Sequence, residues 1–251
     1  MTHSQKNVLQ FLSTNVNHTA KDGQVSSSPN KLAQRLQSLY SISELGKESM
    51  PFHQLFSIFH RSLKPAIYAE NILIALYNPE RSHIHIPYFV DQADDELELT
   101  GFTPAREFIE TTLVGYIFRR KQPMLADNQK LMRLKQSGAV TFRGTASQCW
   151  LGLPLIYQGE VMGVLALQSY DAQYNFSQDD LEFLQYASNP LAAVLGYQMT
   201  KASQQAYAEQ LEDLIDWQLD ELKQVGKKAV QLETFQKAEI SPRSCKQKVT
   251  H

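Results

Sequence analysis

The run from Cys149 to Tyr170 constrains the fold more than any other part of the chain. Two apolar stretches, 149–157 (CWLGLPLIY) and 161–170 (VMGVLALQSY), flank the link Gln158-Gly159-Glu160. Apolar runs joined by a short glycine-containing link specify a β-hairpin. In the second run odd and even positions are both apolar. Successive strand residues point to opposite faces, so both faces of this sheet need cover, whereas a sheet with one wet face would alternate. A sheet sheathed on both sides is the expectation, and the flanking sequence has to supply the layers.

It does so with helical patterns. Leu32, Leu36, Leu39, Ile42 and Leu45 recur at steps of three and four, with Gly46 as a stop. Pro51 opens a second such stretch carrying Phe52, Leu55, Phe56, Ile58, Phe59 and Leu63, ended by Pro65. The period then changes. Residues 71–77 (NILIALY) and 83–90 (HIHIPYFV) flank the turn signal Asn78–Ser82 and predict an antiparallel pair. Pro87 predicts a bend in the second strand or an edge position for it. An acidic loop follows, with Asp91, Asp94, Asp95, Glu96 and Glu98. One helix is expected from Pro104 through Ile117, closed by Arg119-Arg120-Lys121, then a short strand at Pro123–Leu125. Asp127 is the expected N-cap of a helix with Leu131 and Leu134.

Ser177 is the expected N-cap of a long C-terminal helix, with Asp179 and Asp180 in its first turn. Asn189-Pro190 predicts a kink or break there, since an internal proline costs about 3 kcal/mol. Farther on, Leu211, Ile215, Gln218, Leu222, Val225, Ala229 and Leu232 follow a four-three spacing with one polar member, a short coiled-coil seam. The boundaries read from these patterns are a flexible lead-in over 1–29 and an amphipathic helix over 30–48. A domain over 49–200, a coiled-coil extension over 201–236 and a frayed basic tail over 237–251 follow.

Composition narrows the function. Across 251 residues, 24 Lys+Arg stand against 26 Asp+Glu, which gives no basic surface for nucleic acid. No apolar stretch is long enough to span a membrane and the N-terminus lacks a signal-peptide core, so no membrane partner and a cytoplasmic location are expected. Two cysteines, Cys149 and Cys245, exclude a disulfide scaffold. There is no phosphate loop, HExxH or GxSxG pattern, so no catalytic residue is assigned. Cys149 reads as a small buried core residue. His83 and His85 share a strand face but make only two metal ligands, so no metal site is assigned and a solvated face is expected.

In this order, Trp150–Leu155, the Gly159 turn, Gly163–Tyr170 and then Phe176-Ser177-Gln178-Asp179-Asp180-Leu181 resemble the GAF family of small-molecule sensor domains. Ile74–Tyr77 and Pro87–Asp91 resemble the version found before bacterial signalling outputs. The resemblance spans roughly residues 38–200. It implies an α+β fold: an antiparallel sheet with helices packed on one face and loops or short helices on the other, enclosing a pocket. Terminal amphipathic helices and a short C-terminal coiled coil flank it. The candidate pocket residues are Tyr77, Tyr88, Asp91, Trp150, Gln168 and Tyr170, polar or amphipathic groups in otherwise apolar strands. The resemblance names no cofactor. A lone strand cysteine does not fit the paired-cysteine methionine sulfoxide reductases of the family, nor a bilin-attachment Cys followed closely by His. Gln173-Tyr174 stands where the cyclic-nucleotide binders have Asn-Lys.

The expected function is therefore a non-enzymatic sensory or regulatory protein of bacterial signal transduction. It binds an unknown small molecule, pairs as a homodimer through its N- and C-terminal helices and acts on a downstream signalling protein. It carries no catalytic output domain in this reading. The alternatives are an interaction module whose pocket is filled by its own side chains, or a shortened relative of a diguanylate cyclase or sensor histidine kinase.

Overall fold

A computed structural model describes residues 29–46, 50–78, 82–94, 103–141 and 144–239, with side chains of 222 and 225–239 outside the description. The lead-in through residue 28, Cys245 and the basic tail lie outside the described residues. The elements are α1 (Pro29–Ser43) with a 3-10 turn (Glu44–Gly46), α2 (Phe52–Leu63), β1 (Asn71–Asn78), β2 (His83–Val90) and β3 (Thr103–Pro104). Next come α3 (Ala105–Thr111), α4 (Leu113–Arg120), β4 (Met124–Asp127), α5 (Asn128–Gln136), β5 (Cys149–Tyr157), β6 (Glu160–Ser169) and α6 (Gln178–Glu239).

The strands form one antiparallel sheet in the order β3-β2-β1-β6-β5-β4. The expected hairpin is β5–β6, with β6 at the centre of the sheet beside β1. Tyr157 pairs with Glu160, leaving Gln158 and Gly159 as a two-residue turn. Their φ values are 51° and 85°. Positive φ at both positions is the primed turn whose twist matches its strands.

Alternate residues of β1, β5 and β6 feed two cores, as the two-sided pattern requires. Ile72, Ile74, Leu76, Leu151, Leu153, Leu165 and Leu167 pack with α1, α2 and the first turns of α6. Ala75, Trp150, Val164 and Ala166 face Phe108, Val114, Ile117 and Leu131 from the short helices α3, α4 and α5. Long helices cover one face and short ones the other.

Two local expectations change. The single helix over 104–117 is two helices, broken at Thr112, whose backbone is extended (φ −98°, ψ 163°) and whose hydroxyl accepts from the Gly115 N–H. A threonine that caps competes with helical continuation. The close approach at Gly115, where a Cβ would lie 2.2 Å from the Ile109 carbonyl, lets α4 start against α3. The break expected at Pro190 does not occur, for α6 stays helical through it. Leu184 and Ala187 before the proline, and Leu191 and Leu195 after it, are fully buried. Each buried leucine contributes about 1.5–3 kcal/mol, which outweighs one lost hydrogen bond and its clash. Asp127 caps α5 as expected, accepting from the Lys130 N–H at 2.7 Å.

Residues from Gln198 onward form a separate unit. Taken alone, its helix exposes Tyr207, Leu211, Leu214, Ile215, Trp217 and Leu219, each by 45–69%.

Candidate functional site

The hydrogen-bonding centre of the site is the end of β2. Asp91 leaves the strand and its Oδ1 accepts from the backbone N–H groups of Ala93 (2.9 Å) and Asp94 (3.1 Å). That is the aspartate turn, in which a short carboxylate replaces backbone partners and folds the loop back. The same carboxylate accepts from the Tyr170 hydroxyl at 2.8 Å and from Gln168 Nε2 at 2.6 Å. Gln168 Nε2 also donates to Tyr170 Oη at 2.8 Å. A carboxylate only accepts here, so the Gln168 amide must point its NH2 at Asp91. Its Oε1 then has no hydrogen bond among the described residues. Burial, the bond to Asp91 and the charges of Asp91 and Asp94 push the Tyr170 pKa far above that of a free tyrosine, so it remains a donor.

Asp94 fastens a second loop. Its two oxygens accept from the Thr145 N–H, both at 2.9 Å. The carboxylate lies where a side chain on Gly144 would stand, and Gly144 has φ 74°. Glycine meets both demands at once. Asn71, fully buried, ties the aspartate turn to the sheet, donating to the Gln168 carbonyl (3.0 Å) and accepting from the Gln92 N–H (2.8 Å).

Between this network, the sheet and the start of α4 lies a cavity of about 90 Å³. Its floor is Leu73, Phe89, Trp150, Ala166 and Gln168. Over it stand Phe108, Thr112–Val114 and Thr145–Ser147, with Asp91 and Asp94 at the polar end. Gly152 makes room for Trp150, since a Cβ there would sit 2.1 Å from the indole ring. An apolar cavity of about 150 Å³ holds benzene, so this one fits a guest of a few non-hydrogen atoms.

Of the six residues singled out from sequence, Asp91, Trp150 and Gln168 line this cavity, and Tyr170 joins it through its bonds to Asp91 and Gln168. Tyr77 and Tyr88 do not line it. Tyr77 packs edge-on against Phe118, ring centres 5.2 Å apart. Tyr88 lies on the other face, donating to His60 Nδ1 at 2.9 Å. His60 Nε2 donates to the Ala69 carbonyl at 2.6 Å, which fixes the ring's tautomer. The reason is a β-bulge. Ile74 pairs with Tyr88 but Leu76 with His85, so β2 spends one extra residue at Ile86-Pro87. An extra residue inverts which face every later side chain takes. Ile84 and Ile86 therefore face the short helices, Tyr88 the long ones, and Phe89 enters the cavity in place of Tyr88.

Other candidates are structural. His83 and His85 are half-buried instead of solvated, and burial lowers the His85 pKa. Among the described residues no group of three or more His, Cys, Asp or Glu is placed to hold a metal ion. Cys149 is buried in the long-helix core, donates to the Tyr174 carbonyl at 3.2 Å and has its thiol pKa pushed up by burial.

The sheet order, the two-sided cover and a cavity under short helices define a class, and the sequence agrees. The GAF domain model matches residues 51–195, more than half of the chain. The chain belongs to the GAF domain family. No curated protein matches it. Among solved structures it is similar to the GAF domain of a phosphoenolpyruvate-protein phosphotransferase from Coxiella burnetii (TM-score 0.54, 18% identity, covering 69% of this chain and 97% of that one). The equivalent domain from Acinetobacter gives 0.53 and 20%, with 69% and 97% covered. A free methionine-R-sulfoxide reductase from Neisseria meningitidis in complex with its substrate gives 0.51 and 17%, with 73% and 97% covered. At these identities the likeness is one of fold.

Proposed function

We propose that this chain is a sensory or regulatory GAF module that binds a small molecule in the cavity under α3 and α4 and signals through its C-terminal helix. The observation that carries the reading is the cavity itself, floored by aromatic and apolar groups with polar groups gathered at one end, the composition of a ligand site. The walls are separate pieces joined by a few hydrogen bonds: the aspartate turn, the Thr145 loop and the start of α4. A guest that binds one arrangement of these more tightly than another shifts their populations. The comparison with the reductase does not favour catalysis here. The Cys149 thiol lies on the opposite side of the sheet from the cavity, buried and with a raised pKa.

The module works in the cytoplasm on this reading and passes occupancy to a downstream signalling partner. Among the described residues no helix is long and apolar enough to cross a membrane. Native mass spectrometry of the protein purified from its own host should reveal a bound small molecule. Ala166→Phe, which fills the cavity floor, should lose that adduct while the far-UV circular dichroism stays unchanged. Purified protein without any adduct, or an adduct retained by Ala166→Phe, would sink the cavity reading.

The exposed Leu211 and Ile215, the first two members of the four-three seam, support pairing with a second copy through a coiled coil. Light scattering should give a dimer, and Leu211→Glu with Ile215→Glu should shift it to monomer. A wild-type monomer at high concentration would overturn the pairing.

A further inference from the structure

Resting on the reading of this cavity as a ligand site, we propose that its guest is a small organic cation, an ammonium group on a compact apolar body. Among the described residues, the two charged side chains that line the cavity, Asp91 and Asp94, are both carboxylates. Their hydrogen-bond donors are Tyr170, Gln168 and backbone N–H groups, all neutral. Neutral donors stabilise the carboxylates without cancelling their charge, and neither aspartate makes an ion pair among the described residues.

The effect on a guest is large. Charges interact more strongly where water is partly excluded, so an anionic guest meets the two carboxylates as repulsion and a cation meets them as attraction. The apolar part of the lining has the same preference. Trp150, Phe89 and Phe108 present aromatic rings, whose faces attract cations, tryptophan most strongly. The guest's N–H groups also find acceptors: Gln168 Oε1 and the Ser147 hydroxyl make no hydrogen bond among the described residues. The cavity's size admits a short amine.

Three probes of one shape separate charge from fit: tert-butylammonium, tert-butanol and pivalate. Saturation-transfer NMR on the full chain should show tert-butylammonium binding at least tenfold more tightly than pivalate. Asp94→Asn keeps an acceptor for Thr145 and removes one charge. It should weaken the ammonium by about tenfold and leave tert-butanol unchanged. Should that variant not fold, the three-probe comparison on the wild type decides alone. Equal or tighter binding of pivalate or tert-butanol overturns the cation assignment. Loss of that binding in Ala166→Phe would then keep the cavity reading. Silence from all three probes also overturns the assignment, while the adduct in native mass spectrometry still decides whether the cavity is a site.

Discussion

Gly163→Ala is expected to cost about 3 kcal/mol or more, read as a large fall in the urea midpoint. Gly163 lies in β6, pairing with Leu76 of β1 and Leu155 of β5. A Cβ there would stand 2.2 Å from the Ala75 carbonyl oxygen and 2.9 Å from Leu76 Cδ2. The nearer atom is backbone, so no rotamer change relieves it, and the two central strands must part. Overpacking of side chains costs about 1–3 kcal/mol, and here the strain falls on the main chain. A domain holds only about 5–15 kcal/mol in all. Gly159→Ala is the control. It also has to adopt φ 85°, but nothing lies within 4 Å of its Cβ. It should cost about 1–2 kcal/mol, the penalty of the left-handed region alone. If Gly163→Ala unfolds at the same urea concentration as wild type, the strands do not approach as closely as described.

The same approach matters for the site. Leu73 of β1 and Ala166 of β6 are register partners, and both lie on the cavity floor. Relaxing the β1–β6 spacing would open the floor before it unfolded the domain. A milder variant that still folds should therefore weaken the ligand first.

The sheet was legible because β5, and β6 from Val161 to Leu167, are apolar at every position, a pattern that fits few environments. The cavity was legible where a polar side chain interrupts that pattern, as Gln168 does, because a half-buried amide has to find partners. Tyr88, singled out for its apolar body and polar tip, does not line the cavity because one unpaired residue at Ile86-Pro87 reverses the faces beyond it. Pro87 did mark the irregularity, so the signal was present but its sign was not. Phe108, Thr112, Thr145 and Ser147 come from separate segments with no periodicity pointing at β6. The aspartate turn, the Asp94–Thr145 bond and the Gln148 N–H bond to the Ser169 carbonyl bring them together, and these are long-range facts no local pattern carries. Thr112 is a partial exception. A β-branched residue that caps, followed by a close-packed glycine, is a helix boundary in retrospect.

Asp180→Asn should destabilise the domain by about 3–5 kcal/mol and flatten its stability at acid pH. Asp180 is 4% exposed and Arg35 2%. Arg35 Nη2 donates to Asp180 Oδ1, with Lys31 Nζ 3.3 Å from the same oxygen. Oδ2 accepts from the Ser177 N–H at 2.9 Å and from the Ser177 hydroxyl at 2.8 Å. The pair thus fastens α1 to the first turn of α6, and Arg35 lies over the Phe183 ring, 5.2 Å from its centre. Breaking a buried pair is costly because the survivor keeps its charge without a partner, and Arg35 cannot shed its proton. Burial pushes the Asp180 pKa up, but the Ser177 hydrogen bonds and the charges of Lys31 and Arg35 outweigh it, and the net direction is down. A carboxyl whose folded pKa lies below its unfolded value of about 3.9 adds stability that is fully present above that value. The contribution drains away as the pH falls from about 4 through the folded pKa. Urea midpoints between pH 2.5 and 7 should therefore fall more steeply for wild type than for Asp180→Asn below pH 4. Arg35→Met added to Asp180→Asn should recover part of the loss, since the stranded cation is then gone. Parallel acid profiles for wild type and Asp180→Asn, or no recovery in the double variant, would show that the ion pair is not what holds α1 in place.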